Sequence, residues 1–167
     1  PNLTTFNIGA VNVEENDQRE PIKYEIPPGI LREVDPSQTF QRQLNEQSLV
    51  LDVCNLQDGD ARAAYRNVQF DVRAYRKLKM FVHAEEVIPN TLNNEDLTLF
   101  VRLGTDFKDN YYEYELPLYL TQWGATLPED IWPEINNMEI VFDDLLNLKK
   151  ERNTLLESGA GNVAFSL

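Results

Sequence analysis

Glu113 and Glu115 lie two residues apart in an alternating stretch, so on a strand both carboxylates fall on one face about 7 Å apart. Paired carboxylates at that spacing are the chemistry of glycoside hydrolysis, though there the two groups normally come from different strands and line a deep cleft. The competing reading is a solvated face with cross-strand charge pairs, and it is the one adopted here. The oxygens of Asp106, Asp109 and Asn110, with Asn93, Asn94, Glu95 and Asp96, are of the type calcium takes. Their spacing fits no calcium-loop pattern, and Lys108 sits among them. His83 stands beside Glu85 and Glu86 and has the side chain suited to titration near neutral pH, while one histidine among carboxylates reads as a hydrogen-bonded surface group. Cys54 ends an apolar alternation, where a buried inert thiol is expected. One cysteine and one histidine exclude a disulfide framework and a Cys/His zinc site within the chain.

Aromatic side chains are the richer class. Tyr111, Tyr112, Tyr114 and Tyr119 cluster ahead of Trp123 and Trp132. Exposed rings on a sheet serve sugar stacking and protein interfaces alike, so Tyr111, Trp123 and Trp132 are the candidate partner or glycan contacts. Both indoles lie in a Pro-rich connection, where pinning a loop to the core is the common role.

The elements that must position these residues follow from period-two alternation. Leu49–Val53, Lys77–Ala84, Leu97–Leu103 and Tyr111–Leu118 each show one nearly pure apolar face. A further strand is expected at Met138–Phe142. Residues 1–21 read as a strand or extended arm followed by a loop. Pro21, Pro27, Pro28 and Pro36 predict an irregular connection that wraps over a core. The 104–110 segment carries turn chemistry for a hairpin. Asp60–Tyr65 is expected to form a turn or two of helix. The one helix expected with substance is near 143–156, with Asp143 or Asp144 as its N-cap and Lys149, Lys150 and Arg152 toward its C-terminal end. Residues 162–167 look like the start of a strand that is not completed.

The predicted fold class is all-β, a jelly-roll-like antiparallel β-sandwich of the carbohydrate-binding-module or galactose-binding-like kind. It carries an extended N-terminal arm and one short helix. The expected organisation is an arm and Pro-rich connection over 1–46 packing on a sandwich over 47–167 that is cut short at its C-terminal end. Length agrees with one domain: 167 residues, 42% of them hydrophobic. Against 15 Lys and Arg stand 28 Asp and Glu, for a net charge of −13, which repels a phosphate backbone and excludes nucleic-acid binding through a basic face. Residues 84–167 hold 16 of the acidic groups and 5 of the basic ones, so the acidity belongs to the second half. No apolar run approaches the roughly 18 residues of a membrane helix. The first residue is Pro1, which suggests a piece cut from a longer chain.

Ordered strings carry a resemblance. They are Tyr24-Glu-Ile-Pro-Pro-Gly29, Asn45-Glu-Gln-Ser-Leu49, Leu78-Lys-Met-Phe-Val-His-Ala-Glu85, Phe100-Val-Arg-Leu-Gly-Thr-Asp106, Asn110-Tyr-Tyr-Glu-Tyr-Glu-Leu-Pro-Leu118 and Ile131-Trp-Pro-Glu134, closing with Leu148-Lys149 near Arg152-Asn153. Together they resemble the SprA/Sov family, the giant outer-membrane translocons of type IX secretion and gliding motility. The resemblance implies a soluble insert domain, without enzymatic activity, of a barrel that exports folded cargo bearing a C-terminal signal. It brings no catalytic residues, no cofactor and no metal. Expected partners are other parts of the parent translocon, secretion-system components or secreted cargo, with membrane contact only through the parent barrel. The expected location is the cell envelope, at the outer membrane, facing periplasm or cell surface. The alternative from a different class is a glycan-binding β-sandwich module using surface Tyr and Trp. A hydrolase using Glu113 and Glu115 ranks below both.

Overall fold

The computed structural model describes residues 3–37, 42–69, 71–106 and 108–159. Among them the chain runs β1 (Thr5–Asn12), α1 (Val13–Asn16), β2 (Gln47–Cys54), β3 (Lys77–Met80), β4 (Thr98–Gly104), β5 (Tyr111–Pro117), α2 (Pro128–Ile131), β6 (Met138–Val141) and α3 (Phe142–Glu157). Strands dominate and all pair antiparallel, as the alternation predicts for an all-β chain. They form three two-stranded ribbons, β1-β2, β3-β6 and β4-β5.

The chain divides into two compact units. The first takes in the chain up to Gln69 together with Thr121–Trp132. Its ribbon joins Thr5 opposite Cys54 through to Asn12 opposite Gln47, so the strand of the N-terminal arm finds its partner in β2. One face of the ribbon gathers Phe6, Ile8, Ala10, Leu49, Leu51 and Val53. Asn12 caps α1 by accepting from Glu15 N at 2.9 Å, while its Nδ2 donates back to Glu15 Oε2 at 2.8 Å. The first bond satisfies a backbone donor that a one-turn helix leaves open, the second holds the two side chains together, and the Asn12 N–H itself donates to Asn16 Oδ1 at 3.0 Å. The core is small: Ile22, Tyr24, Ile131 and Trp132 are its buried apolar side chains among the described residues. The Pro-rich connection supplies Ile22 and Tyr24 to it.

The second unit contains Asp71–Leu120 and Pro133–Gly159 among its described residues. In β3-β6, Leu78 faces Ile140 and Met80 faces Met138, so the apolar residues of both strands share one face. Met138, Ile140 and Ala84 are buried. The β4-β5 hairpin puts Leu99, Val101, Leu103, Tyr112, Tyr114 and Leu116 on one face, all of them half-buried. Gly104 is required where the hairpin closes: a Cβ there would lie 2.2 Å from Asn110 O and 2.5 Å from Tyr111 Cα.

Several local expectations need correction. The helix near 143–156 is present as Phe142–Glu157, but its N-cap is Val141, which makes no side-chain cap bond. Asp143 and Asp144 sit inside the first turn, where they still complement the helix dipole. Because the helix runs on to Glu157, Lys149, Lys150 and Arg152 are interior, and no basic residue occupies the last turn. Asp60–Tyr65 forms no helix, and the strand expected over 77–84 ends at Met80. The strand expected over 162–167 lies outside the described residues.

Candidate functional site

In the first unit the most structured polar group is centred on Tyr24. Its ring is buried, and its hydroxyl donates to Glu46 Oε2 at 2.6 Å. A phenol has one proton, so the 2.7 Å contact with Ser48 Oγ is a bond that Ser48 donates. Burial pushes the phenol pKa up, and the bond to the Glu46 carboxylate adds to the rise. Trp132 meets the Tyr24 ring edge-on, with centroids 6.2 Å apart and planes at 86°, and its Nε1 donates to Glu25 O at 2.8 Å. Thr121 Oγ1, also buried, donates to Ile131 O at 3.2 Å. This network ties α2 and the Pro-rich connection to the start of β2. Trp132, 7% exposed, is therefore a pin and offers no ring face to a ligand. Trp123, also a candidate contact, is 43% exposed in the connection before α2.

Tyr111, the third candidate, opens β5 in the second unit. The Arg102 guanidinium stacks 4.3 Å from the Tyr111 centroid and 5.1 Å from that of Phe100. Arg102 also pairs with Glu113, which faces it across the hairpin and raises the guanidinium pKa. Glu115 stands opposite Phe100. The paired carboxylates thus belong to an exposed cross-strand cluster of cation, ring and acid, where one of them is already engaged. That geometry stabilises a ribbon; it does not present an acid and a nucleophile to a sugar.

The oxygen-rich loops serve the backbone. Asp106 Oδ1 accepts from Lys108 N, Asp109 N and Asn110 N at 2.9, 2.7 and 3.1 Å, and Oδ2 accepts from Asn110 Nδ2 at 2.6 Å. These bonds hold its carboxyl well below the usual carboxylate range. Glu86 does the same for Asn90, Thr91 and Leu92, with its pKa again lowered by the bonds it accepts. Asn94 Oδ1 accepts from Leu120 N at 2.9 Å, and Tyr119 donates to Glu95. Among the described residues no group of three or more His, Cys, Asp or Glu is placed to hold a metal ion. His83 Nε2 lies 3.2 Å from Glu85 Oε2, in line with a hydrogen-bonded histidine. Cys54 is exposed, contrary to the expected buried thiol, because it ends β2 on the last pair of a two-stranded ribbon.

Asn136 was not legible as a key residue. It is fully buried, its Oδ1 accepting from Tyr119 N at 2.9 Å and its Nδ2 donating to Tyr119 O at 2.7 Å. The amide pairs with Tyr119 as a neighbouring strand would. Nothing in the string Pro133-Glu-Ile-Asn-Asn137 distinguishes it from an ordinary turn asparagine.

The described residues define a mostly antiparallel β protein in which Asp106, Glu86 and Asn136 hold loops and strands. Among those residues no helix is long and apolar enough to cross a membrane. Over residues 1–166 the chain matches SprA_N, a family described as motility related/secretion protein, and it belongs to that family. No curated protein matches it.

Proposed function

We propose that this chain is a structural and interaction domain, without catalysis of its own, in the outer-membrane translocon of type IX secretion and gliding motility. The family match across residues 1–166 is the observation that carries the reading. The use of Asp106, Glu86 and Asn136 as braces for backbone, with Glu113 engaged by Arg102, accords with it. The domain acts by contact: with other parts of the parent protein, with secretion components or with cargo in the cell envelope. A jelly-roll-like sandwich is the fold this reading assigns to the domain, and its antiparallel ribbons are compatible with it. Trp123 and Tyr111 are the aromatic contact points on this reading, while Trp132 is held in the core of the first unit against Tyr24.

Deleting the domain from the parent protein is the test. Loss of cargo export or gliding, with the remaining barrel still inserted, is the expected result. Unchanged export and motility would overturn the reading.

A further inference from the structure

The backbone register of the first ribbon leaves one edge with unusual properties. Val13 N donates to Glu46 O at 3.1 Å, which makes that pair a hydrogen-bonded one. In an antiparallel ladder such pairs alternate with pairs whose backbone groups point away. Counting back along the register, Val11, Gly9, Asn7 and Thr5 bond inward to β2, and Phe6, Ile8 and Ala10 turn N–H and C=O outward. Among the described residues β1 has β2 as its one strand neighbour, so those outward groups form an unpaired edge.

Edge strands are normally protected by charge or proline. The other ribbons follow that rule: β3 carries Lys77 and Lys79, β4 carries Arg102, and β5 carries Glu113 and Glu115 and ends in Pro117. Over its eight residues β1 has neither charge nor proline, in a chain that is 26% charged. The outward-bonding residues are also those of the apolar face, where Ile8 is 57% exposed and its neighbour Leu49 66%. At the C-terminal end of β1 the surface carries exposed Glu15 and Asp17, while Glu14 between them and the strand is already paired with Arg32.

We propose that the β1 edge accepts an extended segment of another polypeptide as a third strand. That segment alternates apolar residues through an uncharged middle and carries Lys or Arg at the end beside α1. Unpaired backbone donors and acceptors specify an extended peptide as occupant. The acidic flank specifies the charged end by complementarity. A second copy of this chain is disfavoured by self-repulsion at a net charge of −13. The proposal rests on reading the domain as an interaction module, and it names the chemistry of one partner.

The probe is a short fluorescent peptide of alternating valine and threonine with two lysines at one terminus, titrated against the full chain by anisotropy. Wild-type chain binds it. Ile8→Lys, which adds an edge charge, weakens binding about ten-fold or more, equivalent to about 1.4 kcal/mol. Ile8→Pro removes an outward donor while leaving every ladder bond in place, and it lowers affinity likewise. Leu31→Lys, at a residue 87% exposed in the Pro-rich connection, leaves binding unchanged. Unaltered circular dichroism and thermal melting of the variants show that the ribbon persists. The proposal is overturned if wild type fails to bind, if Ile8→Lys binds equally well, or if sedimentation shows a wild-type dimer that Ile8→Lys dissolves. In the parent protein, export that survives domain deletion overturns the functional reading alone, while peptide capture indifferent to Ile8→Lys overturns the edge alone.

Discussion

Asn136 and Tyr24 show what single side chains do where the core is thin. Replacing Asn136 with Ala removes both partners of the Tyr119 backbone from a fully buried position. Unsatisfied buried donors and acceptors cost about 1–3 kcal/mol each, so we expect a loss of about 2–4 kcal/mol in denaturant unfolding of this unit. Tyr24→Phe keeps the ring against Trp132 but abandons Glu46 and Ser48, and a loss of about 1–2 kcal/mol is expected in the same measurement. Trp132→Ala should cost more, about 3–5 kcal/mol, because a large indole leaves a cavity as well as an unmet Glu25 carbonyl. The two tryptophans illustrate how far sequence carries at this scale. A Pro-rich connection predicts an indole pinned to the core, which Trp132 fulfils. Composition alone has no means of separating it from Trp123, because burial depends on which segment folds over each ring. Asn136 was invisible for the same reason: its partner lies 17 residues away, and no local pattern reports such a pairing.

Elements were more legible, since alternation is a property of a strand itself. The positions of β2, β4 and β5 follow from period two, and Asp143 and Asp144 mark where α3 starts although neither caps it. Partner choice did not follow, because an apolar face says that a strand needs cover without saying what supplies it. The β4-β5 turn gives two element-scale predictions. Gly104→Ala should separate the strand ends, seen as faster amide exchange in Thr105 and Tyr112, because the backbone atoms near its Cβ have no room to yield. The second concerns pH. The carboxyls of Asp106 and Glu86 titrate below their ordinary values when folded, because folded backbone donors favour the ionised form. Their stabilisation is therefore complete above the ordinary carboxylate range near pH 4 and is lost as pH falls through the lower, folded values. Exchange protection at Lys108–Asn110 and Asn90–Leu92 should fade in acid ahead of the ribbon amides, whereas Asp106→Asn should remove that acid dependence from its loop. In α3, Leu145 and Leu148 are half-buried, while every residue from Glu151 onward is exposed. Leu155→Ala should accordingly change stability by no more than about 0.5 kcal/mol.

At the scale of the whole molecule, charge and exposed apolar surface act against each other. The described residues bury few apolar side chains, and many large ones remain accessible, including Leu31, Ile8, Leu49, Val87 and Ile88. Such surface favours association unless something opposes it. Here the opposing factor is a net charge of −13, most of it in residues 84–167, and its effect depends on pH. At neutral pH like-charge repulsion keeps chains apart. Near the sequence isoelectric point of about 4.4 that repulsion vanishes while the apolar surface stays. Light scattering across the acid range should show a sharp rise centred near that pH and clearing at neutral pH. Ile8→Lys, which breaks up the apolar face of the first ribbon, should reduce the scattering at its maximum and move the maximum slightly upward in pH. Scattering that is flat through the isoelectric region would mean that the exposed apolar faces are already covered within the chain itself, and the third-strand proposal would lose its physical basis.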